Sequence, residues 1–411
     1  MPGVRGLPPG SARVAPAAVA RPPGRGGARA CLEDQQKEDG MTATSVALIG
    51  ANGHGLHHRQ NLVEPAERGL IRLVGLADPQ PVVDPPDGVP VYTDHAAMLA
   101  EVKPEVVIVC TPPHTHLALT RDALRAGADV LMEKPPVLDR AEHDALLAEQ
   151  DATGRVVQVN FQSLASPALV RLRAAVAAGE LGTVRQISVL GCWRRDDAYW
   201  SRSAWSGRRT VHGRPSLDGA LANPFAHAVM QALAVLDLPV LRVEVDWLRV
   251  RPIEVEDTAT LRITLSGGVT VLVAVTLAGE EHVDGDITVY GDRGTAELAF
   301  REDLLRLPGD PAAVLVEGRQ TLLENLLAFR ASGTPLLSGL ARTAPFTTVI
   351  EQLRAAAPPY QVAADVLAVE DGHRTLVGVN AVLRRCAAEG ALMNELSTPW
   401  GANGPDRTAN G

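Results

Sequence analysis

Val46-Ala47-Leu48-Ile49-Gly50-Ala51-Asn52-Gly53-His54-Gly55 is an apolar run that empties into a string of glycines. A buried strand that turns tightly into a helix presents free backbone N–H groups at the helix N-terminus, where a pyrophosphate can bind. The dinucleotide pattern G-x-G-x-x-G finds its first and last glycines in Gly50 and Gly55, while Asn52 holds the middle place and Gly53 follows. Asparagine tolerates left-handed backbone angles better than most residues, so Asn52 is expected to make the turn with Gly53. The plainer alternative is a glycine-rich turn that holds no ligand.

Working outward, short apolar runs recur at 73–77, 106–110, 130–132 and 156–159, with helical spacing at 117–126 and 141–152. Continuous apolar strands alternating with helices imply a parallel sheet covered on both faces. The fold class expected is α/β: a doubly wound Rossmann domain over residues 41–162, then a second α/β domain over 163–395. In the second domain strand-like stretches follow one another at 185–190, 241–250, 259–265, 269–277, 287–290 and 295–300. Gly267-Gly268 reads as a hairpin turn between two of them. This predicts a largely antiparallel open sheet, with helices near 321–331 and 373–389 packed on it.

Composition narrows the class. The chain has 411 residues and a net charge of −9, which argues against nucleic acid or an anionic membrane as partner. No apolar run approaches the roughly 20 residues of a membrane helix. Four scattered cysteines, Cys31, Cys110, Cys192 and Cys386, show neither metal-type pairing nor disulfide density, so a reducing cytoplasm and no metal are expected. Residues 1–40, rich in Pro, Gly and Arg, read as a disordered extension ahead of Met41, and 396–411 as a frayed tail. Of the 39 basic residues only Lys37, Lys103 and Lys134 are lysines. A lysine kept in an arginine-rich chain is informative, because only lysine's pKa can be tuned into a useful range.

Asp78 closes the second strand, 28 residues beyond Gly50, where a carboxylate accepts from ribose hydroxyls and repels a 2′-phosphate. That favours NAD, with NADP possible. Cys110-Thr111-Pro112-Pro113-His114-Thr115-His116 then ends the central strand, and Glu133-Lys134-Pro135-Pro136 ends the next. Both loops leave the carboxyl ends of parallel strands, where open sheets bind ligands. This pair of motifs resembles the signature of the Gfo/Idh/MocA oxidoreductases, and the resemblance covers about residues 44–390. It implies that Thr111, Pro112, Pro113 and His116 lie beside the nicotinamide ribose. It also implies that Glu133 and Lys134 stand next to nicotinamide and substrate, with a cis peptide following the lysine.

Asp218-Gly219-Ala220-Leu221-Ala222-Asn223-Pro224-Phe225-Ala226-His227 reads as a helix start, with Asn223 the N-cap, Pro224 the first helical residue and His227 in the first turn. The positive helix end would keep His227 neutral and able to accept a proton. In the resembling family this region holds a D-x-x-x-H catalytic pair. His227 matches its histidine, but Asn223 replaces its aspartate, which leaves open whether Lys134 or His227 carries the proton. Aromatics concentrate in one stretch: Trp193, Tyr199, Trp200 and Trp205, interleaved with Arg194 and Arg195. Such a segment suits either a sugar or an oligomer interface.

The reading that joins these features is an NAD(P)-dependent oxidoreductase that moves a hydride to or from a sugar, inositol or similar polyol. Lys134, His227 and Asn223 form its catalytic set, and self-association into a dimer or tetramer hides the open sheet face. Two alternatives keep the fold: redox-neutral elimination or glycoside cleavage, and a cofactor-binding sensor without chemistry.

Overall fold

The computed structural model describes residues 42–299, 301–398 and 400. The expectations for residues 1–40 and for the tail from 401 onward lie outside it.

The first half is built from β1 (Thr44–Ile49), α1 (His54–Asn61), β2 (Ile71–Ala77), β3 (Val91–Tyr92), α2 (His95–Val102), β4 (Val106–Val109), α3 (His116–Arg125), β5 (Asp129–Met132), α4 (Arg140–Thr153) and β6 (Val157–Val159). Its six strands are all parallel, in the order β3-β2-β1-β4-β5-β6. Strands β1, β4, β5 and β6 are buried along their whole length, as near-continuous Val/Ile/Leu runs require in a sheet covered on both faces. Order reverses between β1 and β4, so their carboxyl ends open a crevice at the topological switch point.

The second half runs through α5 (Pro167–Ala177), β7 (Val184–Arg194), the small hairpin β8 (Thr210–Val211) and β9 (Arg214–Pro215), and α6 (Ala226–Leu233). It continues with β10 (Val240–Arg249), β11 (Thr258–Leu265), β12 (Thr270–Thr276), β13 (Ala278–Gly291), β14 (Thr295–Ala299), β15 (Leu304–Arg306) and β16 (Val314–Leu315). After these come α7 (Leu322–Ser332), α8 (Ala344–Ala355), β17 (Tyr360–Gln361), β18 (Leu367–Glu370), β19 (His373–Leu376) and α9 (Val379–Glu389). Nine strands form one mixed sheet, ordered β16-β15-β14-β13-β7-β12-β11-β10-β17, in which β7–β12 and β10–β17 are parallel and the other pairs antiparallel. Gly267 and Gly268, both at φ 81°, make the turn between β11 and β12.

Alternation along β12 divides the sheet's two faces. Val271, Val273 and Val275 face the main core, which includes α5, α6 and α8; Leu272 and Ala274 face the opposite side. That opposite side carries the first correction. Helix α9 lays Val379, Leu383, Cys386 and Ala387 over Cys192, Leu248, Leu272 and Ala274. The chain therefore covers with its own helix the face expected to be hidden by self-association.

A second correction concerns the segment expected as a helix at 321–331. Helix α7 packs on the parallel sheet, not on the mixed one: Leu322, Leu323, Leu326 and Leu327 join Val46, Leu48, Leu76, Val106 and Ile108 in one buried cluster. Periodicity shows that a helix has an apolar face without showing which sheet that face meets. In the same way, residues 373–389 comprise a strand and a helix, β19 and α9. Among the described residues no helix is long and apolar enough to cross a membrane.

Candidate active site

A cavity of about 860 Å³ opens between the carboxyl ends of the parallel strands and the second half of the chain. Its wall combines Asn52 and His54, the loop after β4, the loop after β5, residues 215–218, Asn223 and the β8–β9 hairpin.

The glycine loop fits a pyrophosphate. A methyl group on Gly50 would stand 2.0 Å from the carbonyl oxygen of Cys110, and one on Gly55 would stand 1.8 Å from that of Gly50. Only glycine lets β1, β4 and α1 approach so closely. Among the described residues no side chain caps α1; the N–H groups of Gly55 and Leu56 turn back onto the Asn52 and Gly53 carbonyls, which leaves that of His54, at the very start, open to a ligand. The left-handed positions are Gly50 and Gly53, and Asn52 is not among them, contrary to the reading of Asn52 as a turn residue. Its amide is a clasp instead: Nδ2 donates to the Pro81 carbonyl at 3.1 Å and Oδ1 accepts from Val83 N–H at 3.1 Å. Asp78, directly after β2, accepts from the N–H groups of Asn52 at 3.1 Å and Gln80 at 2.9 Å. One carboxylate oxygen is used by each, so lone pairs remain on both for a ribose.

Thr111, Pro112 and Pro113 line the cavity, with Thr111 Oγ1 2.7 Å from Thr115 Oγ1. His116 does not line it. Its ring is wholly buried, Nε2 2.8 Å from the Thr111 carbonyl and Nδ1 3.0 Å from those of Pro135 and Pro136. Placed as a cofactor contact by sequence, His116 instead braces the two loops from behind.

Glu133 and Lys134 share the end of β5 and the Lys134–Pro135 peptide is cis. Glu133 Oε1 meets His58 Nε2 at 2.8 Å, His54 Nε2 at 3.5 Å and the Asn160 amide at 2.6 Å. The His54 and His58 ring nitrogens and the Glu133 carboxylate lie within 4.8 Å of one another, and the contacts are those of a carboxylate held by two imidazoles and an amide. Burial alone would raise the Glu133 carboxyl, but the hydrogen bonds from His54, His58 and Asn160 hold it well below the usual carboxylate range. Lys134 Nζ donates to Asn223 Oδ1 at 2.7 Å. Burial lowers its ammonium below the ordinary lysine value, against the opposing pull of Glu133 and Asp218.

Asn223 is not an N-cap. Helix α6 starts at Ala226 after a run of turns, and Asn223 turns its amide toward Lys134 and Asp218. His227 stands behind this pair, edge-on to Phe161 with ring centroids 5.8 Å apart. It does not line the cavity, and its Nδ1 is a buried atom without a partner among the described residues. Burial, and after it the Lys134 charge, push its pKa to about 3, so it is neutral as expected but far more weakly basic than the helix end alone would make it.

The aromatic stretch separates. Tyr199 and Trp205 line the cavity, with the Arg202 guanidinium over both rings at 3.9 and 4.7 Å. Trp193, Arg194, Arg195 and Trp200 do not line it. Trp193 packs on Phe225 with centroids 4.6 Å apart, and Arg195 lies over the Trp193 and Tyr199 rings. Arg194 reaches toward Glu370, and Trp200 is core. Trp200 is buried although its neighbours Arg194, Asp197 and Arg202 are exposed, because it closes a short helical turn whose charged residues point outward.

Sequence reasoning gave no role to two features: Asp218 and the β8–β9 hairpin. The signal for the His54–His58 pair was present, since three of the eleven histidines fall within five residues. Nothing local marks Asp218 as different from other loop carboxylates.

Comparison with known proteins agrees with this geometry. The model of the oxidoreductase family with NAD-binding Rossmann fold matches residues 44–161, and that of the GFO/IDH/MocA C-terminal domain matches residues 169–297. The D-glucoside 3-dehydrogenase of Escherichia coli is 28% identical over 152 residues, 37% of this chain and 41% of that protein. Inositol 2-dehydrogenase 1 of Saccharopolyspora erythraea is 28% identical over 142 residues, 33% of this chain and 42% of that protein. These two alignments thus span less than half of each relative. In overall fold the chain is similar to the WlbA dehydrogenase from Bordetella pertussis, solved in complex with NADH and UDP-GlcNAcA. The TM-score is 0.64 at 19% identity, covering 76% of this chain and 96% of that one. Since the two family models together take in more than half of the sequence, the chain belongs to the GFO/IDH/MocA oxidoreductases, and its N-terminal part is their NAD-binding Rossmann domain.

Proposed function

We propose that the protein is an NAD(P)-dependent dehydrogenase or reductase acting on a CH–OH or keto carbon of a sugar, inositol or similar polyol. The observation that carries this reading is Lys134: a lysine of lowered pKa, at the wall of the cavity, hydrogen-bonded to Asn223 and next to Glu133, which meets His54 and His58 of α1. The names of the two curated relatives support a carbohydrate substrate.

The loop 50–55 and the α1 N-terminus hold the pyrophosphate, Asp78 the ribose with NAD preferred, and Thr111–Pro113 and Glu133 the nicotinamide side. When bound, the cofactor supplies or accepts the hydride. Lys134 polarises the reacting oxygen and carries its proton, since a group of tuned pKa within reach is the efficient choice. His227, with a pKa of about 3, holds protons too weakly for that task near neutrality. It offers a neutral acceptor instead, and Asn223 orients Lys134 or a substrate hydroxyl. Tyr199 and Trp205 supply faces for the C–H side of a ring.

A cytoplasmic setting belongs to the same proposal, supported by the free, buried thiols of Cys110, Cys192 and Cys386. So does self-association into a dimer or tetramer, for which the exposed Val314 and Leu315 on edge strand β16 replace the covered sheet face as the surface. The domain division is proposed at about residue 162, with α7 assigned to the first half.

Calorimetric titration with NADH and NADPH, followed by an absorbance screen at the nicotinamide band against sugars, inositols and their keto forms, tests the reading. Tighter NADH binding and a change in absorbance with some polyol or ketone are expected. Cofactor binding with no turnover of any member of that panel counts against the substrate class, and binding of neither cofactor overturns the proposal. A Lys134→Ala variant should bind NADH normally and lose about 10²–10⁴-fold in kcat.

A further inference from the structure

The Asn223 amide has one orientation open to it. A carboxylate can only accept and a lysine ammonium can only donate, so Nδ2 must face Asp218 and Oδ1 must face Lys134. Both contacts are 2.7 Å. Asp218 is itself immobilised. Its side chain is 1% exposed, and it accepts from Arg202 through both oxygens at 2.8 and 2.9 Å, from Gly207 N–H at 3.0 Å and from Asn223. All four of its acceptor positions are filled, so its charge is fixed in place five residues before Asn223.

We propose that Asp218 is the carboxylate of this site, a positioning residue that acts on Lys134 through the Asn223 amide and does at one remove what an aspartate at position 223 would do by contact. The part Lys134 plays in catalysis rests on the oxidoreductase reading above; the arrangement of charge does not.

An amide relay and a direct carboxylate differ in how they hold the lysine. Both fix the direction of Nζ, but an amide oxygen brings no full charge against the ammonium, so the proton is held less tightly. The groups that bear on Lys134 come from four elements: Glu133 beside it after β5, Asp218 from the loop before α6, His54 from α1 and His227 from α6. Removing the Asp218 charge should weaken the hold on the proton. Moving the same charge into contact should strengthen it.

Because Lys37, Lys103 and Lys134 are the only lysines, the full-length protein grown with 13C-labelled lysine gives three sets of side-chain signals. A Lys134→Met variant identifies the third. The expected result is a Lys134 titration midpoint below the other two, lowered further in Asp218→Asn. In the charge-swapped Asp218→Asn/Asn223→Asp protein it should rise above wild type by about one pH unit or more. Arg202→Gln, which breaks the ion pair but keeps the relay, should leave the order of these midpoints intact. If Asp218 only braces the wall through Arg202, its substitution lowers the melting temperature while the Lys134 midpoint stays where it was, and the proposal falls. Should the double variant not fold, Asp218→Asn alone decides, since an unmoved midpoint refutes the relay. Binding of neither NADH nor NADPH would overturn the proposed function and leave these midpoints as measured.

Discussion

Gly55 has no room for a side chain, and this makes it the sharpest point at which to test the cradle. A methyl group there would lie inside the contact distance of the Gly50 carbonyl, a backbone atom with no freedom to retreat. Gly55→Ala should therefore push the glycine loop off α1 and weaken NADH binding more than tenfold by calorimetry, while circular dichroism stays native. Unchanged affinity would mean that the pyrophosphate is held elsewhere. At this scale the sequence was legible where a residue type is forced by sterics, as at Gly50 and Gly55, or by rarity, as at Lys134. It was illegible where the role depends on a partner far along the chain. Asn52 was read by its own backbone tolerance, but its function is to clasp Pro81 and Val83, 29 and 31 residues away. His116 was read by its place in a ligand loop, and only the fold reveals the carbonyls on both sides of its ring.

Elements are held together by a few buried polar pins, and one of them titrates. His143 on α4 is fully buried, with Nδ1 2.9 Å from Thr347 Oγ1 on α8 and Nε2 3.1 Å from the Leu340 carbonyl. Burial, then the nearby Arg140 charge, lowers its pKa to about 4, below the ordinary 6.5. The folded protein thus binds fewer protons than the unfolded chain between those values. The stability contributed is present above pH 6.5 and is lost as pH falls toward 4, by up to about 1.4 kcal/mol per pH unit. Thermal unfolding across pH 7 to 4.5 should show a shallower acid decline in His143→Gln than in wild type. Identical slopes would show that another group dominates. The longer strands were legible from period alone in both halves, down to the Gly267-Gly268 turn, whereas β19 was read as part of a helix. The partners of the helices were not, because an apolar stripe fits any apolar sheet: α7 and α9 both present one, and they cover different sheets.

Across the whole molecule, α7 makes the two halves interdependent. Besides its leucines, the segment ties back through polar contacts: Gln158 Nε2 donates to the Leu322 carbonyl at 2.6 Å, and Arg330 pairs with Glu105 and Asp129. Residues 42–162 expressed alone would leave Leu48, Leu76 and Ile108 without their cover. That fragment should be insoluble or bind a hydrophobic dye, whereas the same fragment co-expressed with 163–398 should be recovered in a soluble complex. A well-folded, NADH-binding fragment would contradict the strap. Removal of α9 is predicted to act in the same way on the mixed sheet, giving aggregates in size-exclusion chromatography where the intact chain gives a discrete species.

The strap also bears on how a substrate reaches the cavity. A segment that leaves the mixed sheet to lie on the parallel one and then returns adds two further crossings of the chain between the halves, which limits how far they can swing apart. A restricted swing gives a larger part in ligand traffic to the small parts at the rim, such as the β8–β9 hairpin, which among the described residues pairs with no strand outside its own two-stranded ladder. Grafting this Rossmann half onto another catalytic half would require the strap to be carried with it.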